Sequence, residues 1–198
     1  MILQATLLLA GLAVASGSIC CPPDQFNAYQ YVNFVNSTTT VEALYYMVYD
    51  GVNQRYLITG DRSNGQVVST TKVIYDYRQR TAYNIDAQAG TCTTFPIQGN
   101  FEDQQSVCVP SEAVPIGPFF YGYNQNRLNA QSYTYNTTSP DGGRQRVTIV
   151  VSDAGCIPLV IARTTTGGAG GNSFYQVGYN DFYPGIRDIT VFDIPSYC

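Results

Sequence analysis

Short runs in which apolar and polar side chains alternate recur along this chain. Two such runs, Thr40 to Asp50 and Asn53 to Asp61, flank Gly51. Alternation with a period of two places successive side chains on opposite faces of a strand, and Asp-Gly supplies the positive φ angles of a tight hairpin. The 17 tyrosines, with many valines, isoleucines and threonines, also favour strands over helices. The sequence therefore predicts an all-β chain.

The spacing of the other runs predicts how these strands assemble. A second hairpin is expected from Val67 to Tyr77 and from Arg80 to Asp86, and turn residues separate five later runs: Arg127 to Asn136, Gly143 to Asp153, Ile157 to Thr166, Asn172 to Phe182 and Asp188 to Ile194. Regularly spaced short strands indicate one large antiparallel sheet or a barrel-like sandwich. The segment from Pro96 to Gly122 carries three further prolines, which block ladder hydrogen bonds, so it is predicted to be a long covering loop.

The amino terminus is typical of a secretory signal. Residues 1–15 are uncharged and largely apolar, too short to span a bilayer, and end in small residues, so cleavage is expected within about residues 15 to 19. A buried N-terminal helix is the alternative. The remaining chain, 16–198, has the length of a single domain, and no later stretch is predicted to span a membrane.

In a secreted chain, the cysteines are expected to form disulfide bonds and two asparagines are candidate glycosylation sites. The even count of six cysteines indicates three disulfide bonds in an oxidising compartment. Asn36 and Asn136 each begin an Asn-x-Ser/Thr sequon in a Thr- and Ser-rich turn, so both are predicted glycosylation sites. A secreted, extracellular glycoprotein is expected.

Several classes of function lose support from composition. The chain has no histidine, which excludes Ser-His-Asp and Cys-His catalysis. A net charge of −4 with a single lysine argues against nucleic-acid binding. Glu102-Asp103 is a poor glycosidase pair because adjacent residues seldom converge on one bond. The glycine run from Gly167 to Gly171 lacks the Gly-Lys-Ser/Thr ending of a phosphate loop, so it is interpreted as a hairpin connection.

Calcium is a weaker possibility. Asp181, Asp188 and Asp193 carry oxygen ligands of the kind that calcium prefers, but the sequence contains no twelve-residue calcium loop. Solvated carboxylates are the simpler interpretation, so no metal ligands are assigned.

The apolar alternation also suggests a ligand pocket. One face of the predicted sheet would carry eight apolar or aromatic side chains, and a single curved sheet needs something to cover that face. The face is either ordinary core or the wall of a cavity for an apolar ligand, with Phe119 and Phe120 of the proline-rich segment as lid contacts or as simple packing. The eight wall residues are Tyr46, Val48, Tyr56, Ile58, Val73, Tyr75, Val147 and Ile149.

Several short motifs, in order, resemble those of the ependymin family. The stretch "YDGVNQR" from Tyr49 to Arg55 is similar to a hairpin found early in the mature chains of that family. The resemblance continues in four further motifs: "CCPPDQF" (Cys20 to Phe26), "YNIDAQAGTC" (Tyr83 to Cys92), "GCIP" (Gly155 to Pro158) and "GIRDITVFDIPSYC" (Gly185 to Cys198).

This resemblance implies a secreted glycoprotein with a single ependymin-like domain over 16–198, whose curved antiparallel strands form a half-open sandwich similar to bacterial lipoprotein carriers. It also implies a homodimer, and an association with hydrophobic ligands, calcium and cell–matrix contact. The family pattern pairs Cys21 with Cys156 and Cys92 with Cys198. Cys20 is then left for Cys108, although the adjacent Cys20 and Cys21 could exchange partners.

Two functions follow as hypotheses. The first is a non-enzymatic protein that binds a lipid or fatty acid in the curved sheet. It requires no cofactor, and calcium is an optional ligand. The second is an extracellular adhesion or signalling protein that acts through a protein–protein surface, calcium and glycans. An enzyme without histidine is the third and least supported interpretation.

Overall fold

The structure is a computed structural model that describes residues 18–65, 68–101, 107–139 and 141–198. The predicted signal segment, 1–15, lies outside the described residues. Within them about 66% of the residues lie in strands. The strands are β1 Ser18–Cys20, β2 Gln25–Asn36, β3 Thr40–Asp50, β4 Arg55–Ser63, β5 Val68–Asp76, β6 Thr81–Asp86, β7 Thr91–Pro96, β8 Val109–Pro110, β9 Val114–Tyr123, β10 Asn126–Thr138, β11 Arg144–Ser152, β12 Pro158–Gly168 and β13 Gly171–Pro184, and a 3-10 helix follows at Ile189–Phe192.

Eleven of the described strands form one antiparallel sheet in the order β7-β6-β5-β4-β3-β2-β13-β12-β11-β10-β9. Each strand therefore pairs with a neighbour in sequence, except at the centre, where β13 returns to pair with β2 from Ser173↔Asn36 to Pro184↔Phe26. The two edge strands, β7 and β9, do not pair with each other, so the sheet is curved but not closed. The predicted all-β class with a curved, half-open antiparallel sheet is confirmed.

Three parts of the strand prediction are wrong. The central strand β2 was not predicted, because its outer face also carries aromatic side chains, Tyr29 and Tyr31, and the alternation is blurred. The covering loop contains β9, which tolerates Pro115 and Pro118 because an edge strand has one side free of ladder hydrogen bonds. The predicted strand Asp188 to Ile194 is a 3-10 helix, because the Asp188 carboxylate accepts a hydrogen bond from the Thr190 backbone N–H at 2.9 Å.

The sheet has an inner face and an outer face, here defined by Met47 and Val48 of β3. On the inner face, described residues of the proline-rich segment that precede β9 cover part of the sheet. Ile97 and Phe101 pack near Tyr77, and Val109 and Ala113 pack on β11 and β12. The outer face is covered by the C-terminal segment, where Phe192 of the 3-10 helix packs on β3, β4, β5 and β6 at Val48, Leu57, Ile74 and Ile85.

Three disulfide bonds link segments outside the large sheet to the sheet, to its turns or to one another. Cys92–Cys198 joins β7 to the chain end, as expected. The other two expected pairs are wrong, because the bonds are Cys20–Cys156 and Cys21–Cys108. Successive side chains of an extended chain point to opposite sides, and the strand β1 directs Cys20 into the inner-face cluster that contains Cys156. Cys21 is thereby directed away from Cys156.

Candidate functional site

The stretch Tyr49 to Arg55 does not form the predicted two-residue turn. The strands β3 and β4 end at the pair Asp50↔Arg55, so four residues form the connection. The positive φ angle falls on Gln54, at 53°, and not on Gly51. Gly51 is required for a different reason: a Cβ atom there would lie 2.8 Å from the Asp24 carbonyl oxygen, whose partner is the Gly51 N–H. The loop is thus pressed against the start of β2.

Asp50 organises this loop from the interior. Its side chain is fully buried, and its carboxylate accepts hydrogen bonds from Gln25 Nε2 at 2.9 Å and from the Asn53 backbone N–H and side-chain amide. The Arg55 guanidinium forms an ion pair with it at 2.6 Å. Burial alone would raise the pKa of Asp50, but the hydrogen bonds from Gln25, Asn53 and Arg55 outweigh it and hold the pKa below its ordinary value.

Arg55 extends this network to the other end of the chain. Its guanidinium carbon lies 4.3 Å from the centre of the Phe192 ring, a cation–π contact with the C-terminal 3-10 helix. Asp50 is therefore linked through Arg55 to the cover of the outer face. The stretch Tyr49 to Arg55, one of those that resemble the family, is a structural hub, and its Asp50 carboxylate finds its hydrogen-bond partners within the fold.

A cavity of about 370 Å³ lies on the inner face. Residues of β4 and β5 meet residues of β12 and β13 across it, which is possible only because the sheet curves around the space. The lining is rich in tyrosine and includes one arginine. The lining residues are Gln30, Met47, Tyr49, Tyr56, Ile58, Tyr75, Tyr77, Val107, Ile161, Arg163, Tyr175, Val177 and Tyr179.

The phenol groups give this cavity a mixed chemical character. Tyr56 Oη donates a hydrogen bond to Gln30 Oε1 at 3.3 Å, and Gln30 is itself buried and also bonded to Tyr179. Burial, reinforced by neighbouring phenols, raises the pKa of Tyr56 and of Tyr179 well above the ordinary value. Both side chains are therefore neutral hydrogen-bond donors at physiological pH, set among aromatic rings and aliphatic groups.

A second space of about 280 Å³ adjoins the first. It shares Gln30, Tyr56, Ile58 and Tyr175 with the first cavity, so the two spaces adjoin along the inner face and are together called the groove below. Its remaining lining is mostly apolar or aromatic and ends at an exposed arginine. These residues are Val32, Phe34, Val41, Tyr45 and Arg62.

The structure places three of the predicted wall residues, Tyr56, Ile58 and Tyr75, in the cavity lining. Tyr46 and Val48 were assigned to the wrong face. The β3–β4 register pairs Val48 with Leu57 and Met47 with Ile58, so Tyr46 and Val48 lie on the outer face against the C-terminal segment. Cross-strand partners lie on the same face of the sheet. The face on which a residue lies therefore depends on the register between strands, and the alternation within one strand does not determine it.

The other predicted wall and lid residues lie outside the lining. Val73 pairs with Ile58 and is on the inner face, but it does not border the cavity. Val147 and Ile149 are buried in the inner-face core beneath Val109 and Ala113. Phe119 and Phe120 lie on the edge strand β9 and are 48% and 58% exposed, so they are not a lid over the cavity.

The sequence reasoning missed one wall of the cavity. Tyr175, Val177 and Tyr179 of β13 alternate with a period of two, a signal that could have placed them on one face. Gln30 belongs to the unpredicted strand β2, and Arg163 lies in the predicted strand Ile157 to Thr166 but was not singled out. Neither carried a motif that pointed to the site.

The remaining predictions stay open. Asn136 is exposed on β10, and the Asn36 side-chain oxygen accepts a hydrogen bond from the Thr38 backbone N–H at 2.9 Å in a turn, so glycosylation of both remains a prediction. In the described part of the chain, no group of three His, Cys, Asp or Glu side chains is arranged to hold a metal ion. No described helix has the length and apolar character needed to cross a membrane.

The fold and its site define a class of protein: a disulfide-bonded, curved antiparallel sheet around a tyrosine-lined cavity. The family model for ependymin matches residues 66–198. Ependymin-related protein 1 of Haliotis asinina is 71% identical over 198 residues, which covers 100% of this chain and 99% of the relative. Ependymin-related protein 2 of the same organism is 56% identical over 200 residues, with 100% and 99% covered. The chain belongs to the ependymin family.

Solved structures are more distant. An uncharacterised conserved protein from Thermus thermophilus is similar with a TM-score of 0.44 and 8% identity, over 88% of this chain and 87% of that one. A LolA superfamily protein from Nitrosomonas europaea is similar with a TM-score of 0.40 and 10% identity, over 85% and 88%.

Proposed function

We propose that this chain is a secreted, non-enzymatic protein that binds a hydrophobic small molecule, such as a lipid or fatty acid, in the cavity of its inner face. The cavity itself supports this proposal most directly. At about 370 Å³ it falls within the size range of ligand sites, and its aromatic walls are left unfilled by the protein's own side chains. A binding role also fits a chain without histidine, the most common general base.

The energetics favour an apolar chain in this groove. Transfer of one CH₂ group from water to an apolar wall contributes about 0.8 kcal/mol, so a short hydrocarbon tail offsets much of the entropic cost of binding. Tyrosines add large, rigid contact area at a low cost in side-chain entropy. Reversible binding is the expected result.

The experiment compares two tryptophan substitutions. Ile58→Trp places a bulky side chain in the cavity lining, and Leu44→Trp places the same side chain on the exposed outer face of β3. We expect wild type and Leu44→Trp to take up a fluorescent fatty acid and Ile58→Trp to lose most of that uptake. Native mass spectrometry and organic extraction of gently purified protein should detect a co-purifying lipid. Absence of both uptake and extracted lipid in the wild type would overturn the proposal.

Secretion, glycans and calcium belong to the same proposal. Family membership and three disulfide bonds support an extracellular location, and glycans are expected at Asn36 and Asn136. A calcium ion is retained as an optional partner. A structural ion should raise the melting temperature in calorimetry, and an unchanged curve after chelation would remove calcium from the proposal.

One observation favours a protein–protein surface as a second function. The edge strand β9 exposes a row of apolar side chains, with Val114, Ile116 and Tyr123 at 61%, 58% and 72% exposure. A contiguous exposed apolar patch marks a protein–protein interaction surface, and it would suit a second copy of this chain or a matrix protein. Light scattering of wild type and of Ile116→Lys should show a dimer and a monomer, respectively. A wild-type monomer would remove the homodimer from this hypothesis.

A further inference from the structure

Arg163 is a charged side chain in an otherwise uncharged cavity wall. It lies on β12, paired with Val147 of β11 and Tyr175 of β13, and it lines the first cavity. It is half-buried, and its guanidinium carbon lies 5.6 Å from the centre of the Tyr175 ring. An arginine in this position brings five N–H donors and a permanent positive charge to the cavity.

No described carboxylate neutralises this charge. The ion pairs of the described residues are Arg55–Asp50 and Arg187–Asp181, and Arg163 belongs to neither. Glu112, which like Arg163 acts electrostatically on Tyr135, is exposed and forms no ion pair with it. A half-buried cation that no described carboxylate pairs with is costly, so a ligand that supplies the anion would gain from meeting it.

Neutral phenols surround this cation. Arg163 acts electrostatically on Tyr175 and Tyr179, whose pKa values are nevertheless raised, mainly by burial. These hydroxyl groups therefore remain donors beside a guanidinium. A group of donors with one fixed positive charge fits an acidic oxygen head group, which only accepts hydrogen bonds when ionised.

The rest of the groove suits a hydrocarbon tail. Ile58 borders both spaces, and in the second space Val32, Phe34 and Val41 line the wall. The second space also contains Arg62, but this arginine is exposed to solvent, where a charge pair contributes little. The groove thus combines one shielded positive charge with an extended apolar wall.

We infer that the groove selects single-chain amphiphiles with an acidic head group, carboxylate or phosphate, and that Arg163 binds this head while the tail lies along the apolar wall. This inference rests on the proposed carrier function. To that function it adds the chemical class of the ligand and the residue that recognises the ligand's head group.

The experiment measures dissociation constants of dodecanoate, dodecyl phosphate and dodecanol by calorimetry on the purified, delipidated chain. The three ligands share one tail and differ in the head group. We expect at least one of the two acids to bind wild type about tenfold more tightly than the alcohol, the equivalent of about 1.4 kcal/mol. The acid that shows the larger preference identifies the head group.

Two variants locate the charge. Arg163→Gln is expected to remove the preference and to leave dodecanol binding within about twofold, while Arg163→Lys restores part of it. Arg146→Gln is the matched control, because Arg146 is an exposed arginine on the other face of β11, and it should keep the full preference. Circular dichroism verifies that each variant is folded, and the wild-type comparison of ligands does not depend on any variant.

The possible results distinguish a failure of the head-group assignment from a failure of the proposed carrier function. Equal binding of acids and alcohol by wild type overturns the inference and leaves the carrier function intact. Binding of none of the three ligands overturns both. A preference that survives Arg163→Gln but is lost in Arg62→Gln overturns the assignment to Arg163.

Discussion

The two faces of strands β3, β4 and β5 are built from alternate residues of the same hairpins, yet they end in opposite states. On the outer face, Val48, Leu57 and Ile74 are each only 1% exposed beneath Phe192. On the inner face, Tyr56, Ile58 and Tyr75 border an open cavity. The alternation of residue types is similar on both sides. What differs is the cover, because the C-terminal segment fills one face and the other is left with a gap.

This difference indicates that the two faces of one sheet have different roles. The Asp50–Arg55–Phe192 network and the Cys92–Cys198 bond hold the outer cover in place. Stability concentrated on that face would allow the inner face to keep a cavity, which costs free energy when it is empty. Substitutions on the two faces should therefore separate folding from binding.

The largest effect is expected from Asp50→Asn. The substitution leaves Arg55 without its ionic partner in a buried network, a change that typically costs about 3–5 kcal/mol. Urea unfolding followed by circular dichroism measures the loss. Asp61→Asn is the control, since Asp61 is an exposed carboxylate of β4 and should change the free energy of unfolding by less than about 0.5 kcal/mol. Equal effects of both variants would contradict the network.

The Asp50 carboxylate also makes the free energy of unfolding depend on pH in the acid range. The folded-state pKa of Asp50 is lowered, so its contribution is fully present above the ordinary unfolded value of about 3.9 and is lost as the pH falls through the folded value. In Asp50→Asn this part of the acid-induced loss should disappear. An acid limb of unchanged size in the variant would show that other groups cause it.

The second largest effect is expected when Cys92 and Cys198 are both replaced by serine. The C-terminal segment then loses its covalent attachment to β7, and removal of a bond between residues 106 apart in sequence should cost about 2–4 kcal/mol. The outer face should become exposed, as increased binding of a hydrophobic dye would report. If the double variant keeps the unfolding midpoint of the wild type but takes up less ligand at the inner face, the proposed division between the faces is wrong.

Much of this architecture was predictable from the sequence, and the failures have physical causes. The strand Thr40–Asp50 was predicted with its exact bounds, because alternation and Asp-Gly agree there. β2 was missed because aromatic residues on both faces hide the period of two. β9 was missed because proline is excluded from central strands but tolerated at an edge.

The site was less predictable than the fold. A cavity wall depends on which residues pair across strands, and a connection of four residues between β3 and β4 is not encoded by the alternation of either strand. The exchange of Cys20 and Cys21 likewise depends on the direction in which β1 presents each side chain. Such features arise from tertiary pairing, so a single sequence carries little signal for them.

Substitutions at two neighbouring residues of β4 sharpen the comparison of the faces. Leu57→Ala removes a buried outer-face side chain and should destabilise the protein by about 2–4 kcal/mol. Ile58→Ala enlarges a space that is already open, so its cost should be about 1 kcal/mol, but it should change the affinity for a fatty acid. Unfolding free energies and dissociation constants for both variants test this. An Ile58→Ala cost equal to that of Leu57→Ala would mean that the inner face is filled in solution.

The smallest expected effect concerns the phenols of the cavity at high pH. Because burial raises the pKa of Tyr179 in the folded state, its contribution to stability is fully present below the unfolded value of about 10 and is lost as the pH rises toward the folded value. Tyr179→Phe removes the titrating group, so its alkaline loss of stability should be shallower than that of wild type. At pH 7 the substitution should cost about 1 kcal/mol, the size of one hydrogen bond, here the bond to Gln30. Tyr123→Phe, which changes a 72% exposed phenol of β9, is the control and should leave the alkaline limb unchanged. Thermal melts between pH 7 and pH 11 measure both limbs, and identical limbs in wild type and Tyr179→Phe would show that this phenol is hydrated in the folded cavity.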